Sequence, residues 1–143
     1  ELGLGWAVRG LEDPSRPFIG RQAILAERAD ALSRWRTVGI TIQWRDFYDL
    51  HQANGLLAVP DEVPVSWEVM IYDQDGRRVG YATSFMYSPV LQRHVGIARV
   101  RPSHAAPGTE VFVEQTVNHD YINVRSLVTT LPFYNPPRKV AAP

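Results

Sequence analysis

A two-residue alternation of apolar side chains constrains the fold of this chain more than any other feature. It is clearest in "WRTVGITIQW", where four apolar residues alternate with smaller or polar ones: Val38, Ile40, Ile42 and Trp44. Because side chains of a β-strand point to opposite faces in turn, this spacing places all four on one face. We therefore predict a strand here, with these four side chains pointing inward.

A β-hairpin is predicted next along the chain. Two β-rich runs, "VSWEVMIY" and "RRVGYATSFMY", flank "DQDG". Asp75-Gly76 supplies the positive φ that a tight hairpin turn requires, so we place the tip of the hairpin there. The alternation in the first run predicts that Val69 and Ile71 point inward.

Three further runs complete the predicted sheet. "HVGIARVR" predicts a strand, and "PSHAAPGTE" is a Pro- and Gly-containing connection. "VFVEQTV" and "INVRSLVTTL" predict two strands that pair through a turn near "NHDY". About six short strands at this spacing are typical of an antiparallel barrel or sandwich. We predict a mainly β fold, a small antiparallel β-barrel of about six strands preceded by a short αβ segment.

The αβ segment is predicted from the first 34 residues. "LGWAV" indicates a short buried strand, and "EDPSRP" indicates a loop. From Arg21 to about Leu32 the residues favour a helix, with one face formed by Ile24, Leu25, Arg28 and Leu32. The stretch "RDFYDLHQANGLLAVPDEVP" follows no period, so we predict a long connection with room for one helical turn.

Composition excludes several classes of function. Fifteen acidic and fifteen basic residues balance, so the overall charge indicates neither nucleic acid nor membrane as a partner. The absence of Cys excludes disulfides, thiol nucleophiles and thiolate metal sites and suits a cytoplasmic protein. No apolar run approaches the ~20 residues of a membrane-spanning helix. Because the first residue is Glu1, we expect the sequence to be a piece of a longer chain.

The sequence contains no recognisable catalytic or metal-binding motif. None of its four His residues has the spacing of a metal site: His51, His94, His104 and His119. We interpret them as structural. The glycines of "GLGWAVRG" fit no nucleotide-binding motif, so we assign them to backbone geometry. No nucleophile-elbow sequence supports a Ser-His-Asp triad.

The tail is stiff, aromatic and cationic. Phe133 and Tyr134 lie in "LPFYNPPRK" among three prolines, and Arg138 follows. A flat aromatic ring and a guanidinium group together suit a planar, carboxylate-bearing ligand. In the competing interpretation the tail only packs on the barrel and leaves Arg138 in solvent.

Four stretches, in the same order and spacing, resemble the glycine-cleavage T-protein family. They are "GLGWAV" with "PFIGRQAIL", then "GRRVGYATSFMYSPVLQRHVGIARV", "PGTEVFV" and "LPFYNP". Phe85 stands where many members have Gly, and the connection after Trp44 is longer than usual. The longer connection and the stretch "TVNHDYINVRSLVTTLPF" resemble the branch of folate-dependent demethylases and related proteins more than the glycine-cleavage enzyme itself.

The resemblance implies a division at residue 34. Residues 1–34 would end a preceding folate-binding domain, and residues 35–143 would form the C-terminal barrel domain. The intact protein would bind tetrahydrofolate and transfer an aminomethyl or methyl group from a small-molecule donor, an amine, ether or sulfonium. The family's catalytic Asp lies upstream, so this chain would hold no catalytic residue and would be inactive alone.

The resemblance also assigns the tail a role. In the family the tail folds back and places a side chain near bound tetrahydrofolate, and the matching position is Arg138, with Tyr134 as a second candidate contact. The alternative is a non-enzymatic folate-binding or assembly module of a larger oxidoreductase, such as a flavin-dependent one. The related group that assists iron–sulfur assembly carries a Cys-containing motif, which this chain lacks.

Overall fold

The computed structural model describes residues 3–31, 33–60 and 63–136. Two α-helices and six strands follow one another in the order α1 (Arg21–Ala29), β1 (Arg36–Ile42), α2 (Trp44–Ala53), β2 (Val69–Tyr72), β3 (Arg78–Ser88), β4 (Arg93–Val100), β5 (Glu110–Val117) and β6 (Asp120–Thr129). Two short 3-10 helices cover Gly5–Val8 and Pro102–His104.

The six strands form a closed antiparallel barrel, in the order β1-β4-β3-β2-β5-β6. The closing pair joins β1 to β6, with Gly39 opposite Thr129 and Ile40 opposite Val128. Closure gives each of these six strands a hydrogen-bonded neighbour on both sides. The predicted mainly β barrel of about six strands is confirmed.

The inner face of the barrel holds the core, as the alternation predicts. Val38, Ile40 and Ile42 of β1 are buried, and so are Val69 and Ile71 of β2. Valines from the remaining strands and the ring of Phe85 complete the same cluster. Burial of this apolar surface is the main favourable term that stabilises the barrel.

The predicted hairpin is confirmed at its tip. β2 pairs with β3, and Gly76 between them has a φ of +74°. The Asp73 carboxylate accepts hydrogen bonds from the backbone N–H groups of Asp75 and Arg77, at 3.0 and 2.9 Å. This side chain therefore closes the turn that the glycine conformation permits.

The prediction for Trp44 is wrong, and the connection predicted after it begins with a full helix instead of one helical turn. Trp44 is not the last residue of the strand but the first of α2, a ten-residue helix. Trp44, Phe47 and Leu50 recur at helical spacing and pack on the core. The helix thus covers one end of the barrel, and burial of its apolar face outweighs the weak local signal.

The prediction of a strand in "LGWAV" is also wrong. Gly5–Val8 is a 3-10 helix with no buried residue, and Trp6 is 67% exposed. Gly3 and Gly10, on either side of this short segment, both have the positive φ that glycine adopts most readily. The predicted helix is present as α1 but ends at Ala29, and Leu32 lies outside the described residues.

Candidate functional site

The tail packs on the outer face of the barrel through Phe133. A Cβ built on Gly39 of β1 would lie only 2.6 Å from Phe133 Cε1 and 2.8 Å from Thr129 Cγ2. Gly39 therefore provides the gap into which the ring fits. The predicted contact of Phe133 with strand residues is confirmed, although its side chain is half-buried rather than buried.

The two candidate ligand-binding residues follow this contact. Tyr134 is 44% exposed. Arg138 lies outside the described residues, and its assignment to a ligand stays a prediction. Asn135 and two prolines separate Tyr134 from Arg138 in the sequence, and a proline ring restricts the backbone by fixing φ.

An aromatic cluster surrounds His94 at the barrel end covered by α2. The imidazole is fully buried, and its centroid lies 4.6 Å from the ring of Phe47 and 5.4 Å from that of Tyr87. Phe85 stacks on it at 5.6 Å with an interplanar angle of 5°, and Trp44 lies 6.0 Å away. Phe85 is thus part of the core, and so is His94, for which the sequence predicted a structural role but not burial.

The described residues contain no cluster of three or more His, Cys, Asp or Glu side chains that could hold a metal ion. The Nδ1 atom of His51 lies 2.8 Å from the carbonyl oxygen of Phe47, one helical turn away. That of His104 lies 3.0 Å from the hydroxyl of Ser103. Both are local contacts and bring no acid–base pair together.

No helix in the described parts of the chain has the length and apolarity needed to cross a membrane.

A groove of about 970 Å³ lies between the first 3-10 helix, α1 and the start of β1. Its apolar wall includes Leu4, Val8 and Ile24, and Arg28 and Arg34 also line it. α1 has no buried residue, and Ile24 and Leu25 on its apolar face are only half-buried. The N-terminal segment therefore presents apolar surface that the rest of the described chain does not cover.

Sequence reasoning missed two features that fix the tail and the helix. Gly39 interrupts a run of β-branched residues, "TVGITI", and that interruption is the signal for a close approach. Asp46 of α2 forms an ion pair with Arg125 of β6, which no local pattern indicates because the residues are 79 positions apart.

Residues 53–135, more than half of the chain, match the family model described as the glycine cleavage T-protein C-terminal barrel domain. An aminomethyltransferase from Synechococcus sp. (strain RCC307) is 34% identical over 80% of this chain and 26% of its own length. One from Francisella tularensis subsp. tularensis (strain WY96-3418) is 31% identical over 90% of this chain and 32% of its own.

A solved structure has the same fold. The crystal structure of glycine cleavage system aminomethyltransferase T from Bartonella henselae aligns with a TM-score of 0.68 and 23% identity, over 94% of this chain and 31% of that one. The chain thus spans about a quarter to a third of the length of these proteins. It belongs to the glycine cleavage T-protein C-terminal barrel domain family.

Proposed function

We propose that this chain is the C-terminal domain of a tetrahydrofolate-dependent aminomethyl- or methyltransferase. The curated relatives are aminomethyltransferases, and their similarity extends over 80–90% of this chain. The donor would be a small molecule with an amine, ether or sulfonium centre. The absence of Cys suits the cytoplasmic location that we propose with it.

The observation that carries the proposal for the tail is the contact of Phe133 with Gly39. It holds the chain against the barrel immediately before Tyr134. Tyr134 offers an aromatic face, and Arg138 offers a guanidinium group that can bind a carboxylate through two hydrogen bonds. Tetrahydrofolate has both planar aromatic rings and carboxylates, so the tail would form one wall of its site.

The chemistry in this site would depend on position and charge. The folate nitrogen is the nucleophile or acceptor in such a transfer, so the protein does not need a covalent intermediate. Its contribution is to align folate with the donor and to stabilise charge that develops during transfer. The barrel and tail would supply part of this alignment, and the acid–base residue would come from upstream.

We also propose that residues 1–34 end the preceding folate-binding domain. The incompletely buried apolar face of α1 and the exposed side chains of Trp6 and Ile19 support this assignment. The relatives are about three times as long as this chain, which leaves ample length for such a domain. The isolated chain should then show no turnover and should bind tetrahydrofolate weakly or not at all.

The test is tetrahydrofolate affinity measured by calorimetry on the full-length protein. Arg138→Ala should weaken binding by about 1–3 kcal/mol if the contact is a charge-assisted hydrogen bond. Arg77→Ala is the matched control, because Arg77 lies at the β2–β3 turn and its loss changes the charge equally. Equal affinity for the wild type and Arg138→Ala would remove Arg138 from the site.

Turnover separates the proposal from its alternative. Transfer of a one-carbon unit by the full-length protein would support the proposed transferase function. Tetrahydrofolate binding without transfer from any amine, ether or sulfonium donor would favour a non-enzymatic binding module. Sub-micromolar binding by the isolated chain would contradict the requirement for the upstream domain.

A further inference from the structure

Gly39 is buried although it occupies an outward-facing position of β1. Its neighbours Val38 and Ile40 point into the barrel, so a side chain at residue 39 would point outward. Its φ lies outside the positive range that favours glycine, so backbone conformation does not explain its presence. The remaining explanation is steric, because the ring of Phe133 occupies the space that a side chain would fill.

Any larger residue at position 39 would force one neighbour to move. The Cβ of an Ala would lie 2.6 Å from Phe133 Cε1 and 3.1 Å from its Cζ, both well inside van der Waals contact. The other close atom, Thr129 Cγ2 at 2.8 Å, belongs to β6, where Thr129 is paired with Gly39 in the barrel. Phe133 lies beyond the last strand, so the tail is the part with freedom to shift.

We propose that Gly39 is a positioning residue for the ligand-binding tail. Its missing side chain fixes where Phe133 packs, and Phe133 in turn fixes where the chain continues to Tyr134. This inference rests on the proposed function, because it concerns tetrahydrofolate binding by that tail. A displacement of about 1 Å at a binding group can lower catalytic efficiency by a factor of about a hundred, so a small steric change at Gly39 is enough to matter.

A double-mutant cycle in the full-length protein tests the proposal. Gly39→Ala and Phe133→Ala should each weaken tetrahydrofolate binding about tenfold, the size of loss expected when one hydrogen bond to the ligand is misplaced. If Gly39 acts through Phe133, the double variant should bind no more weakly than Phe133→Ala alone, because the ring that the new methyl group displaces is already absent. Additive losses in the double variant would overturn the proposal.

The matched control is Gly96→Ala. Gly96 is also a buried strand glycine beside a phenylalanine, with a Cβ position 2.7 Å from Cδ2 of Phe85, but it faces the barrel core. This substitution should lower the melting temperature without a specific effect on affinity in the fraction that remains folded. A loss of affinity equal to that of Gly39→Ala would show that general destabilisation explains both, and would overturn the proposal.

Hydrogen exchange of the backbone amides of Thr130, Leu131, Phe133 and Tyr134 provides a readout that does not involve the ligand. Exchange should be faster in Gly39→Ala than in the wild type, and unchanged in Gly96→Ala.

A wild type that binds no tetrahydrofolate would contradict the proposed function, whatever the exchange rates are. A wild type that binds, with a Gly39→Ala variant of equal affinity, would contradict only the role of Gly39. Should Gly39→Ala fail to fold, Phe133→Ala still tests the contact, and unchanged affinity in that variant would overturn the proposal.

Discussion

Arg125 of β6 donates two hydrogen bonds to the carboxylate of Asp46 in α2. Its Nε atom lies 2.5 Å from Oδ2, and its Nη2 atom lies 3.2 Å from Oδ1. The hydrogen bond with Asp46 raises the pKa of the Arg125 guanidinium above its usual value, and Glu110 adds a weaker contact at 3.8 Å. This two-point contact fixes the orientation of α2 over the barrel end, which a single hydrogen bond would not do.

Asp46→Asn should therefore lower the melting temperature by a small amount that decreases in high salt. The residue keeps its size and loses its charge, so the change reports on the ion pair and not on packing. Asp49→Asn is the control, because Asp49 pairs with Arg45 on the same helix and both side chains are mostly exposed. Thermal unfolding of the two variants side by side is the measurement, and equal shifts would mean that the contact with Arg125 has no special role.

Phe47 should contribute far more to stability than Asp46. It is 4% exposed and contacts His94, His51 and Trp44 with ring centroids 4.3–5.5 Å apart. Phe47→Ala should cost about 3–5 kcal/mol, because it removes a buried ring and leaves a cavity. Tyr48→Ala, at the next position of the helix but 41% exposed, should cost much less. Urea unfolding measures both, and similar midpoints would show that α2 does not cover the core as described.

The barrel could be predicted well because the alternation of apolar and other residues within its strands is visible in the sequence. The inward-facing side chains of β1 and β2 are buried and the outward-facing ones are more exposed, except at Gly39 under Phe133, so alternation in the sequence follows the structure. The turn at Gly76 was equally readable, since Asp-Gly meets a local conformational requirement. Where the local pattern and the tertiary contacts agree, the prediction was correct.

The errors come from places where distant contacts decide. Trp44 continues the alternation of β1, yet it starts a helix because Phe47 and Leu50 gain contacts with the barrel core. "LGWAV" has the composition of a strand but no strand partner among the described residues. The gap at Gly39 likewise becomes meaningful only when Phe133, 94 residues later, is known to fill it. Nothing local to residue 39 identifies that partner.

Gly76→Val should destabilise the barrel by about 1–2 kcal/mol. The φ of +74° is unfavourable for a side chain with a branched Cβ. Apart from residues 75–77 themselves, no atom of the described residues lies within 4 Å of the position of a Cβ here, so the cost would be conformational and not a steric clash with a packed neighbour. Gly76→Asn is the matched control, because Asn tolerates this conformation and should lose much less stability. If both variants have the melting temperature of the wild type, the conformation of this turn does not contribute to stability as predicted.

The division proposed at residue 34 predicts that a shortened chain folds on its own. Within the described part of residues 3–34 only Leu11 is buried, whereas β1 begins at Arg36 and pairs with both β4 and β6. Trp35 should be kept, since its ring meets that of Tyr81 edge to face at 5.5 Å. A chain that starts at Arg34 should therefore show the same thermal transition as the 143-residue chain.

A second truncation makes the result specific. A chain that starts at Ile40 loses the first half of β1, including Gly39 and its pairing with Thr129. This chain should not form a closed barrel, because β4 and β6 would each lose hydrogen-bonding partners. Circular dichroism and calorimetry of both truncations give the comparison. A large loss of stability in the chain that starts at Arg34 would show that the first 33 residues belong to the barrel, and the boundary between the domains would then lie further upstream.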